Sequence, residues 1–164
     1  MQYGEGSAMF CDEVRQEHNG KDIYIGVYSS GDSNAPLTPE KYTAASFTII
    51  ATTMIDPMEA PEKAKEISVY FPGEVDPAVR LEIKLPEDAY NRADESDELS
   101  RFPRAPVTTR AVMVLRNQSF KEAGFVRVIM TYGEEKFLLG RLKINFKDAP
   151  KDDGGDMLKE LVGG

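Results

Sequence analysis

The stretch Val79-Arg80-Leu81-Glu82-Ile83-Lys84-Leu85 alternates apolar and charged residues without a break. In an extended chain successive side chains point to opposite faces, so this pattern is a strand with one apolar face and one wet face. Pro86 ends it, because proline cannot donate to a ladder. The same period recurs on either side. Ile67, Val69 and Phe71 alternate with Glu66, Ser68 and Tyr70 before the turn at Pro72-Gly73. Phe47, Ile49 and Ala51 make another such run. Val126, Val128, Met130 and Tyr132 make a further one, with Arg127 and Thr131 facing out. Leu142, Ile144 and Phe146 close the series against Arg141, Lys143 and Asn145.

The N-terminal segment reads as a hairpin. Ala8 to Arg15 is one arm and Asp22 to Tyr28 the other, joined through Gln16-Glu17-His18-Asn19-Gly20-Lys21. Asn-Gly is a strong hairpin signal because both residues tolerate positive φ. In the second arm Ile23, Ile25 and Val27 share one face, and Tyr24, Gly26 and Tyr28 the other. A second hairpin closes at Gly133. Arg110 to Leu115 is a strand with apolar residues on both faces, which fits burial on both sides and an interface equally. Helical signal is confined to a turn or two at 60–66 and 87–92. Short alternating strands with turn clusters between them predict an all-β fold, an antiparallel β-sandwich of immunoglobulin-like architecture over residues 7–146. From Lys147 the pattern stops. Residues 147–164 read as a flexible acidic, Gly-rich tail in which Met157 to Val162 can form one amphipathic turn.

The chain has 164 residues, and 28 acidic against 20 basic side chains give a net charge of −8. That sign is wrong for a duplex-DNA binder and for an anionic membrane surface, so no nucleic-acid and no membrane partner is expected. One cysteine excludes an intrachain disulfide and multi-Cys metal sites, and one histidine excludes His-pair metal motifs. No basic segment followed by an apolar stretch opens the chain, and no apolar run reaches membrane-span length. The expected location is therefore the cytoplasm, where Cys11 stays a reduced, buried thiol.

Few residues suggest chemistry. Asp12 shares strand parity with Ala8, Phe10 and Val14, so it is expected to point into the core. A buried carboxylate needs partners, and Lys21 or backbone amides are the nearest expected ones. The structural reading is a hydrogen-bonded anchor, and the functional reading is a general base. The run Asp94-Glu95-Ser96-Asp97-Glu98 lacks the ligand spacing of an EF-hand and reads as a solvated loop rather than a calcium site. Tyr24, Tyr28, Tyr70 and Phe137 can form an exposed aromatic patch or pack on the sheets. Leu158 and Leu161 would lie on the apolar side of the tail's turn. No phosphate loop, nucleophile elbow or zinc motif occurs, so no cofactor and no catalytic residue are expected.

The segment Phe10-Cys11-Asp12-Glu13-Val14-Arg15, then Asn19-Gly20-Lys21, then Gly26-Val27-Tyr28, resembles the opening of a family of short, β-rich bacterial and phage proteins with no assigned activity. The later Leu139-Gly140-Arg141-Leu142-Lys143-Ile144 is compatible with it. The resemblance covers Ala8 to about Phe146 and implies a small sandwich in a bacterial or phage cytoplasm. It implies no activity. Separately, Leu161-Val162-Gly163-Gly164 resembles the Leu-x-Gly-Gly tail of ubiquitin-like modifiers, whose terminal glycine is conjugated.

The sequence thus predicts a non-enzymatic protein-interaction module, with a homo-oligomer through a strand edge as one form of partner. Its expected contact residues are Asp12, Tyr24, Tyr28, Leu158, Leu161 and Gly164. One alternative is conjugation through Gly164. The other is a metal-dependent or enzymatic sandwich using Asp12 or the 94–98 loop.

Overall fold

A computed structural model of the chain describes residues 4–28, 37–38, 43–56, 65–85 and 106–145. The acidic run 94–98, the suggested helical turns and the tail 147–164 lie outside the described residues, and so do Leu158, Leu161 and Gly164. Among the described residues there is no helix. Nine strands form in chain order: β1 (Gly4–Gln16), β2 (Asp22–Tyr28), β3 (Leu37–Thr38), β4 (Thr43–Ile55), β5 (Lys65–Tyr70), β6 (Val79–Glu82), β7 (Val107–Ser119), β8 (Gly124–Tyr132) and β9 (Glu135–Ile144).

All pairings are antiparallel and fall into two sheets. The first runs β2-β1-β4, with β3 continuing on β1's side of β4 and β7 on its other side. The second runs β6-β5-β8-β9. Two pairings interlock: β4 pairs with β7 in the first sheet and β5 with β8 in the second, so the chain changes sheet between β4 and β5 and again between β7 and β8.

Period-two alternation decides what each sheet buries. Phe47, Ile49, Ala51 and Ile55 of β4 meet Ile67 and Val69 of β5, Val126, Val128 and Met130 of β8, and Leu142 and Ile144 of β9 in one core. Phe71 and Phe120 close one end, their rings edge-on at 5.4 Å. Ala111, Met113 and Leu115 of β7 pack against the same core. The two faces of β7 are thus resolved: these three point inward, while Val112 and Val114 stay exposed on the outer face at 47% and 52%. Between β1 and β9 the sheets approach closely. A Cβ at Gly140 would meet the Ala8 carbonyl oxygen at 2.8 Å, so small residues occupy both sides of that contact.

Two local expectations need correction. The first hairpin does form, but Asn19 is not in the positive-φ region, and Gly20 alone takes it at φ 80. Gly20 N–H donates to Glu17 O at 3.0 Å, and Glu17 N–H donates to Lys21 O at 2.7 Å. The connection is therefore a loop that ends on a left-handed glycine. In the 79–85 run, only Val79–Glu82 is strand. Ile83 bonds its N–H to Lys65 O at 2.7 Å and is half-buried, packed at the margin of the core.

Candidate functional site

The hairpin sets the geometry on one side of the molecule. β1 pairs with β4 only as far as Cys11↔Thr48, whereas its pairing with β2 continues to Gln16↔Asp22. The end of the hairpin is therefore free of the sheet. In sheet order β2 and β7 lie on opposite flanks, with β1 and β4 between them. Even so, Arg110 of β7 donates to the Asp22 carboxylate, and its guanidinium lies 5.6 Å over the Tyr24 ring. Arg110 stands on the outer face, opposite Thr52 in the β4–β7 ladder. The hairpin end must accordingly curl across that face to reach it. The curl accounts for a burial pattern that strand parity alone does not. Cys11, Thr48 and Ile50 all point away from the core, yet all three are buried.

This curl corrects the expectation for Asp12. Its parity is that of Ala8 and Phe10, but β1 bends away from the core just beyond them and carries it into solvent, where it is exposed. Its partner is neither Lys21 nor a backbone amide. The Tyr28 hydroxyl donates to Asp12 Oδ1. Burial, and then that hydrogen bond, push the Tyr28 phenol well above its ordinary pKa. Cys11 has its thiol pKa raised, first by burial and then by the Asp12 charge, which makes it a poor nucleophile. Its Sγ donates to Glu13 O at 3.5 Å.

Of the two readings of the four aromatic rings, an exposed patch or packing on the sheets, the described contacts favour packing for Tyr28 and Phe137. Tyr24 is exposed under Arg110, and Tyr28 packs at the core margin with its hydroxyl on Asp12. Tyr70 lies on the second sheet beneath Arg127 at 5.7 Å, and Phe137 packs on the core. They form no single patch. Among the described residues no group of three or more His, Cys, Asp or Glu side chains gathers where it could hold a metal. No helix among them is long and apolar enough to cross a membrane.

What sequence reading did not locate is the seam between β6 and β7. These are edge strands of the two sheets, and among the described residues β7 pairs only with β4. β7 is 13 residues long. Beside it lies a cleft of about 170 Å³ where Ile67, Leu81, Ile83 and Ala111 are joined by Glu82, Lys84, Thr109 and Arg110. Leu81 is exposed at its mouth. A long edge that no other described strand pairs, next to a cleft with apolar and charged walls, is a template for an added strand. The signal in the sequence was the two-faced run Arg110 to Leu115, which showed an unusual strand but not which edge it would leave open. A second cleft of about 590 Å³ lies at the opposite seam, where Phe10 and Tyr28 face Leu139 and Arg141.

No protein-family model, no curated protein and no solved structure matches this chain.

Proposed function

We propose that this chain is a non-enzymatic interaction module that takes an extended segment of a partner protein onto the open edge of β7. The observation that carries the reading is the 13-residue edge beside the Leu81 cleft. Main-chain hydrogen bonds along β7 would supply affinity, and alternate side chains of the guest would enter the cleft and supply specificity. Val112 and Val114 add apolar area on the outer face.

The proposal includes the architecture and setting that the sequence led us to expect. The two sheets are read as a sandwich, immunoglobulin-like in its layering, with its own strand order β2-β1-β4-β7 over β6-β5-β8-β9. The likeness of the Phe10–Arg15 opening to a bacterial and phage family supports a bacterial or phage origin and a cytoplasmic location.

The test is site-specific photo-crosslinking in the cells that naturally carry the protein. A photoreactive residue at position 112 or 114 should form partner adducts, and the same residue at Leu138, exposed on the other sheet, should not. Val114→Lys should remove the adducts while leaving the melting temperature nearly unchanged, since lysine on an edge blocks strand addition. Adducts spread equally over all three positions would overturn the reading. Adducts between two copies of this chain would identify the guest as its own β7.

A further inference from the structure

The outer face of the second sheet carries a charge distribution opposite to that of the whole chain. The ladder register places Arg127 directly beside Arg141, with Tyr70 on the other side of Arg127. In the next row Phe125 stands beside Lys143. Arg80 and Lys136 share this face from the flanking strands, and the only carboxylates the register sets there are Glu66 and Glu82. Five cations therefore face two acids in a protein of net charge −8. Like charges directly opposite across a ladder are unfavourable, and neither Arg127 nor Arg141 makes an ion pair among the described residues. Instead each guanidinium lies over a ring. Arg127 lies 5.7 Å above Tyr70, and Arg141 lies 4.8 Å above Phe125. Both side chains are exposed.

We infer that this face binds single-stranded nucleic acid, with Arg127, Arg141 and Lys143 on the phosphates and the Arg–ring stacks of Tyr70 and Phe125 as platforms for bases. Aromatic and guanidinium planes interleaved with cations on an antiparallel sheet supply both of the contacts that a single strand offers. An acidic peptide would use the cations but has no need of the rings, so the rings favour nucleic acid. The net charge argues against a long duplex, whose phosphates would extend past this patch. A short strand feels mainly the local field, because remote carboxylates are screened beyond about 8 Å at physiological salt. This face is separate from β7, so the inference stands independently of the edge-strand reading.

The test is fluorescence anisotropy with labelled oligo-dT and oligo-U of about 12 nucleotides, with a duplex of the same length and a poly-glutamate peptide as competitors. Three phosphate contacts predict a log–log salt slope of about −2 on single strands. Arg127→Gln with Arg141→Gln should weaken binding by at least about tenfold and bring the slope to about −0.7, because one cation remains. Phe125→Leu should weaken binding with the slope unchanged. Arg127→Lys with Arg141→Lys keeps the charges and serves if the glutamine variants fail to fold; it should retain the slope but lose affinity with the guanidinium–ring contacts. No binding at 50 mM salt would overturn the inference. So would unchanged binding in the glutamine variants, or displacement by poly-glutamate as effective as by oligo-dT with no effect of Phe125→Leu. That last result would assign the face to an acidic protein segment.

Discussion

The Asp12 carboxylate lies over the backbone of Gly26: a Cβ at residue 26 would fall 2.6 Å from Asp12 Cγ. Gly26 also has φ 64, in the left-handed region. Both facts belong to one event. β2 bends here, opposite the point where β1 leaves β4, and the bend needs a residue with neither a Cβ nor a restricted φ. The Tyr28 hydroxyl then holds Asp12 in place from two residues along.

Gly26→Ala is therefore expected to cost at least about 1–2 kcal/mol for the left-handed backbone alone. The Asp12 contact adds to that loss. Combining it with Asp12→Ala should recover the contact part but not the backbone part, a coupling that a double-mutant cycle in urea measures. Strict additivity of the two changes would show that Asp12 does not lie over Gly26.

Asp12 itself is exposed, so its single replacement should be milder than a core carboxylate would imply. Asp12→Ala should cost about 0.5–1.5 kcal/mol, the net value of one hydrogen bond. Asp12→Asn should cost less, because the amide oxygen can still accept from Tyr28. A loss above about 3 kcal/mol for Asp12→Ala would mean that the carboxylate is buried after all.

The raised phenol of Tyr28 sets an alkaline dependence. A group whose pKa is higher folded than unfolded contributes stability that is fully present below the unfolded value, here 10.0, and is lost as pH rises toward the folded one. Wild-type stability should thus fall above pH about 10, and Tyr28→Phe should fall less steeply over that window. Denaturation midpoints at several alkaline pH values test this. Parallel curves for the two proteins would contradict it.

Two isoleucines that look equivalent in sequence are expected to differ. Ile144 is fully buried, and Ile144→Ala should cost about 2–5 kcal/mol. Ile83 is half-buried beyond the end of β6, so Ile83→Ala should fall below that range. Equal losses would place Ile83 inside the core.

The contrast shows what the sequence carries. Alternation in 67–71, 126–132 and 142–144 gave strand identity and inward face correctly, because burying one side of a strand leaves a period-two trace in the residues themselves. The same parity misplaced Asp12, since parity assigns a face but not whether another layer covers it. The bend after Cys11 is written in a glycine opposite an aspartate, a pattern with many other meanings. The Arg127–Arg141 pair was not legible either. Cross-strand neighbours depend on register, and the irregularity between Val128 and Ile129 shifts the register of β8 against β9.

The central claim is that, among the described residues, β7 is bonded on one side only, and hydrogen exchange followed by NMR tests it most directly. In the isolated protein at low concentration, β7 amides should alternate. Those that donate to β4 should exchange slowly, and those that point to the open edge should exchange quickly. Alternation along 107–119 is the predicted result. Uniform slow exchange on both sets would contradict the account, because it would mean that the edge offered to a partner is already paired.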